Sequence, residues 1–202
     1  MERTRARTAW PNRDVALLYV LLTTGAKPLE IARLEVRDYL NADGSVREHS
    51  MMREEVAVNG KARPLFFASA KARDAIDSYL ADRSRRAFCT TSRADFRGLE
   101  PHSQLFLTEA GAPFEIVAKR EKGQMHFICT GIHNAYWSIF RRIGLPGVSA
   151  QSLRRMVAIR LFQRGATEEQ IGEVLGISEK EAVRRLLSQP VQPLHSIVRE
   201  LV

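Results

Sequence analysis

The chain has 202 residues, 45% of them hydrophobic and 27% charged, with 31 Lys and Arg against 23 Asp and Glu and a formal net charge of +8. That length suits one domain with at most a short extension, and the composition excludes a disordered or fibrous chain. The basic balance points to an anionic partner, phosphate or lipid; the plainer alternative is a solvated basic surface. Only Cys89 and Cys129 occur, far apart and with no Cys/His cluster around them. This speaks against a structural zinc site or a disulfide framework and fits a reducing cytosol. No metal and no cofactor is expected. The longest apolar stretch, Val15 to Leu22, is too short to span a bilayer. No signal-peptide pattern follows the basic start. The expectation is a cytoplasmic protein with no membrane role.

Residues 1–12 carry Arg3, Arg5 and Arg7 without periodicity and predict a flexible basic arm. Asp14 to Thr24 reads as an apolar helix stopped by Gly25, and Pro28 opens the next, Leu29 to Leu34. Val36 to Leu40 predicts a strand, closed by the turn Asn41-Ala42-Asp43-Gly44. Met51 to Val58 and Lys61 to Phe67 predict two more, joined at Asn59-Gly60, so a small antiparallel sheet of three strands is expected. Ala70 to Arg83 is helical, with Ser69 as N-cap. Residues 84–103 read as a loop, Leu105-Phe106-Leu107 as a short buried segment before a turn at Gly111, and 115–129 as ambiguous, with the run Lys119 to Gly123 exposed.

The last third predicts a helical cluster: Gly131 to Ile143, Ser152 to Arg164, and Glu168 to Leu175 between the capping boxes Thr167-x-x-Gln170 and Ser178-x-x-Glu181. The fold class is mixed α+β, mainly α-helical. The expected organisation is an arm (1–12), one domain (13–188) and a C-terminal tail (189–202) whose end, Pro193 to Val202, has helical character.

Four segments in this order carry a resemblance. They are Thr24-Gly25-Ala26-Lys27-Pro28-Leu29-Glu30, the basic hairpin Asn59-Gly60-Lys61-Ala62-Arg63, Leu105-Phe106-Leu107 with Gly111, and Gln151-Ser152-Leu153-Arg154 followed by Ile171-x-x-Val174-Leu175-Gly176. Together they resemble the catalytic domain of the tyrosine recombinases (phage integrases), over residues 13–188. The resemblance implies that family's fold and a duplex-DNA partner. It also implies a site in which cations hold a phosphate while a tyrosine attacks it, a chemistry that needs positive charge on the phosphoryl oxygens and proton transfer at the bridging ones.

The departures from the pattern decide the functional expectation. Lys27 stands where the first catalytic Arg belongs and lacks that residue's planar fork. Gln151 replaces the His of His-x-x-Arg and cannot titrate, whereas Arg154 matches the Arg. The later His or Trp falls on Ile177 and the nucleophilic Tyr on Leu186, which shares an apolar face with Val183 and Leu187. The four tyrosines, Tyr19, Tyr39, Tyr79 and Tyr136, all precede the Arg154 segment. The catalytic Lys is not assigned to Lys61, because Ala57 or Val58 also suits that slot.

The expectation is a DNA-binding pseudoenzyme, accessory or regulatory at a mobile element or recombination site, with an active recombinase or a second copy as partner. Lys27, Lys61, Arg63, Gln151, Arg154 and Arg155 are its candidate DNA contacts. Each has a plainer reading: Arg154 as an internal ion-pair partner of Glu30, Lys27 pointing to solvent, Lys61 and Arg63 as a soluble hairpin tip, Gln151 as a helix start, Arg155 in a solvated stripe. His133 reads as structural. Residues 168–187 also read as a helix-turn-helix, with Lys180 and Arg184 on the groove-facing helix. A transcription regulator is therefore one alternative, and a protein-interaction module without DNA another.

Overall fold

A computed structural model describes residues 1–8, 10–121 and 123–188. The order of elements is α1 (Glu2–Arg7), α2 (Pro11–Thr24), α3 (Pro28–Arg33), α4 (Val36–Tyr39), β1 (His49–Met52), β2 (Arg63–Phe66), α5 (Ala70–Arg85), β3 (Val117–Glu121), β4 (Gln124–Ile128), α6 (Thr130–Arg142), α7 (Ala150–Gln163), α8 (Glu168–Leu175) and α9 (Lys180–Ser188). The expected class, mixed and mainly helical, is the one found. The expected tail lies outside the described residues.

Helix α2 is the spine. Val15, Ala16, Leu17, Val20 and Leu21 are buried on it, and it packs against α5 on one side and against α1, α6 and α7 elsewhere. From α6 the buried Tyr136 donates its hydroxyl to Leu17 O at 3.0 Å, so this large side chain enters the core with its polar atom satisfied. A second, smaller apolar cluster is formed by Val157 and Ala158 of α7, Ile171 and Leu175 of α8, and Val183 of α9. The three C-terminal helices thus share a core of their own, joined to the main body through α2 and β2.

Three local expectations are corrected. The first residues are not a flexible arm: Glu2–Arg7 is helical, Thr4 is buried, and Trp10 is buried edge-on to Tyr79 with the Arg13 and Arg86 guanidinium groups over its ring. The arginines masked an anchor, since a single buried Trp holds a segment that charge alone would leave in solvent.

Val36–Tyr39 is a helical turn, not a strand. Asp38 accepts from the Glu35 N–H at 2.8 Å, a reciprocal cap that favours helix over extended chain. The sheet consequently has two strands, β1 and β2, paired antiparallel from His49↔Phe66 to Met52↔Arg63, and residues 53–62 form the long connection that contains Asn59-Gly60. The ambiguous stretch 115–129 supplies a separate antiparallel pair, β3 and β4.

Leu105, Phe106 and Leu107 are fully buried as expected, and Ser69 caps α5. The capping box of Thr167 and Gln170 opens α8. Helix α9 starts at Lys180, with Ala182 and Val183 donating to Glu179 O, one residue beyond the expected Ser178 cap. Among the described residues no helix is long and apolar enough to cross a membrane, and no three His, Cys, Asp or Glu side chains gather as a metal site needs.

Candidate nucleic-acid interface

The cleft is built from the α2–α3 turn outward. Gly25 ends α2 in the left-handed region (φ 60°), and a Cβ there would lie 2.3 Å from Leu175 Cδ2, so only glycine lets α8 approach this closely. Two residues later Lys27 is the N-cap of α3, and its N–H donates to Glu30 Oε2 at 2.7 Å. Glu30 also accepts from the Val58 N–H at 3.1 Å and from both terminal nitrogens of Arg63, at 3.1 and 2.7 Å. One carboxylate therefore ties α3, the 53–62 connection and β2 together.

The two arginines of the cleft reach further, to the last turn of α8. Arg63 Nε donates to Val174 O at 3.1 Å, and Arg154 Nη2 donates to Leu175 O at 2.8 Å. Asn59 Nδ2 donates to Gly176 O at 3.2 Å. The terminal carbonyls of a helix lack intrahelical partners and carry its negative pole, so cations are favoured there. Arg154 Nε donates to Gly25 O at 2.6 Å, which fastens α7 to the α2–α3 turn, while its Nη1 faces Gln151 Oε1 at 3.4 Å on the solvent side.

The electrostatics follow from this crowding. Burial lowers the Lys27 ammonium below the ordinary lysine range, Glu30 opposes that shift, and Arg154 and Arg63 add to it. Burial alone would raise the Glu30 carboxyl, but the Arg63 hydrogen bonds and charge outweigh it and hold the group below its usual value. The Arg154 guanidinium is likewise lowered by burial, against the pull of Glu30. Three cations share one carboxylate in a partly desolvated cleft, an arrangement complementary to an anion.

This architecture matches solved structures at low sequence identity. The XerA recombinase shares 17% identity at a TM-score of 0.65, with 99% of this chain and 58% of that one covered. XerH site-specific recombinase, bound to its palindromic difH substrate in a post-cleavage complex, shares 16% identity at 0.61, covering 98% and 49%. The Tn1549 transposon integrase, in complex with circular intermediate DNA, shares 14% at 0.54, covering 93% and 59%. The fold is the one these tyrosine recombinases share. The chain spans about half to three-fifths of the length of each of these proteins. No family model matches it, and no curated protein does.

Set against that fold, the expected contact residues divide. Lys27, Arg63, Gln151 and Arg154 do converge on the cleft. Arg63 is corrected from an exposed hairpin-tip residue to a buried one, because β2 begins at it and turns it inward onto Glu30. Glu30 pairs with Arg63, not with Arg154 as the ion-pair alternative had it. Lys61 is exposed on the connection, its backbone N–H on Asn59 Oδ1. Arg155 lies on α7 with Nε on Leu186 O, so it braces α9.

Lys180 and Arg184 are exposed on α9, but α8 supplies their counter-charges: Lys180 meets Glu169 at 2.6 Å, and Arg184 meets Glu168 at 2.9 Å as well as Glu181. His133 is exposed on α6. Sequence reasoning missed Asn59 and the clamp on α8. Gly176 signalled a helix end, but nothing local shows that two of the donors to it, Asn59 and Arg63, come from over a hundred residues upstream.

Proposed function

We propose that this chain binds duplex DNA along the Lys27–Arg154 cleft and does not cleave it. The observation that carries the reading is the cluster of Lys27, Arg63 and Arg154 around the single carboxylate of Glu30. Glu30 balances Arg63, and the remaining positive charge is available to a phosphate. Lys27 and the Gln151-facing edge of Arg154 are the groups placed to meet it, with Lys61 on the exposed connection as an outlying contact. Such contacts position a protein on DNA without specifying sequence.

The lack of cleavage rests on four residues. Leu186 occupies the position where the family's tyrosine falls, and it packs against the small apolar cluster with Leu187. Gln151 carries an amide that does not titrate and so cannot serve as a general acid or base. Arg63 and Arg154 spend guanidinium donors on protein carbonyls. XerH and the Tn1549 integrase are seen with DNA in their own structures, which supports a DNA partner here by shared fold. The role is accessory at a recombination site, with an active recombinase that supplies the chemistry, or a second copy, as partner.

The helix-turn-helix alternative has less support. The basic residues it needs on α9 are engaged by α8 carboxylates.

The test is incubation with supercoiled plasmid and with labelled duplex. Retarded duplex with neither a nick nor an SDS-resistant adduct is expected. Nicking that disappears in Arg154→Ala contradicts the reading.

A further inference from the structure

One element stands outside both cores. The antiparallel ribbon of β3 and β4 is exposed along every residue of β3 and four of the five of β4, and only Ile128 is half-buried. Two strands alone are marginally stable in water, and this pair has no core on either face. Met125 and Phe127 are 57% and 52% exposed, an apolar surface out of keeping with a purely solvated hairpin.

The ribbon borders the cleft. The Arg33 guanidinium lies 5.1 Å over the Phe127 ring, and Arg33 is the last residue of α3, whose N-cap is Lys27. Six helical residues at about 1.5 Å each put the ribbon's anchor about 9 Å along α3 from Lys27.

Its chemistry suits a nucleic-acid groove. Residues 117–128 hold three Lys and Arg to one Glu. Lys119 and Arg120 are adjacent on β3 and so point to opposite faces. In a groove, that directs one cation towards each flanking phosphate strand. The register pairs Arg120 with Met125 and Ala118 with Phe127, so the second face combines one cation with the exposed apolar residues. A two-stranded ribbon is, besides an α-helix, the element that fits a major groove of about 12 Å.

We propose that the β3–β4 ribbon enters a groove of the duplex lying along the cleft, with Lys119 and Arg120 on the backbone and Met125 and Phe127 against sugar and base edges. This rests on the DNA-binding reading and adds to it a second, separate contact.

The test is fluorescence anisotropy of the full chain on a generic duplex across a salt series. It compares wild type, Lys119→Ala/Arg120→Ala and Met125→Ser/Phe127→Ser. Each lost phosphate contact removes about 0.9 from the slope of log K against log salt. The first variant is therefore expected to lose about 1.8 of slope, and the second to bind more weakly with the slope unchanged. Thermal melts should match wild type, since the altered side chains are exposed.

A wild-type chain with steep salt dependence and a Lys119→Ala/Arg120→Ala variant of equal slope overturns the ribbon contact while leaving the cleft reading intact. A wild-type chain that does not bind overturns both. If Met125→Ser/Phe127→Ser abolishes self-association in sedimentation without altering DNA affinity, the ribbon is a protein contact and the proposal fails.

Discussion

Arg63 grips Glu30 with both terminal nitrogens across 33 positions of sequence, with side-chain exposures of 5% and 1%. The pair fastens β2 to α3, and the same guanidinium continues to the end of α8 through Val174 O.

Breaking this pair from one side leaves a charge buried without its partner, which costs about 3–5 kcal/mol. Arg63→Met and Glu30→Gln are each expected to lower urea-unfolding stability on that scale. The double variant should lose much less, because neither charge then remains. Additive losses in the double variant would show that the two side chains are not coupled.

Acid acts on the same pair. The Glu30 carboxyl is held below its ordinary value of 4.5 in the folded protein. Its contribution to stability is fully present above that value and is lost as pH falls through the depressed folded value. Thermal melts between neutral and acid pH should show this loss in wild type and a shallower fall in Glu30→Gln. Parallel curves would rule Glu30 out as a source of acid lability.

Gly25→Ala tests the approach of α8 to the α2–α3 turn. Its Cβ meets Leu175 Cδ2 at 2.3 Å in a backbone that disfavours side chains. A loss of about 1–3 kcal/mol is expected from overpacking. Because Arg154 donates to Gly25 O, DNA affinity should fall with stability. A neutral substitution would mean that α8 does not pack here.

The order of helices, the buried Leu105-Phe106-Leu107 segment and the gathering of Lys27, Gln151 and Arg154 were legible because periodicity, capping residues and segment order are local signals. What these residues do once gathered was not. Arg63 reads as a charged tip in sequence, and only the register of β2 turns it inward. Trp10 was hidden among arginines that dominate the composition of residues 1–12. Val36–Tyr39 carries a strand-like pattern overridden by the Glu35–Asp38 cap. The α8 clamp joins Asn59, Arg63 and Arg154 to consecutive carbonyls at separations of 117, 111 and 21 residues, which no local pattern encodes.

A tyrosine introduced at position 186 is not expected to confer cleavage. In Leu186→Tyr the new hydroxyl would displace a side chain packed in the small cluster, beside a cleft whose arginines are engaged and whose Gln151 does not titrate. No SDS-resistant adduct with labelled duplex is expected, and some stability should be lost. An adduct formed by this single substitution would mean that the rest of the catalytic apparatus is intact.

Phosphate binding in the cleft is read from duplex affinity measured across a salt series for wild type and Lys27→Ala. Wild type should weaken steeply as salt rises, and Lys27→Ala should lose about 0.9 of the slope, the share of one phosphate contact. Wild-type affinity that is absent at low salt, or a slope that Lys27→Ala leaves unchanged, would contradict it.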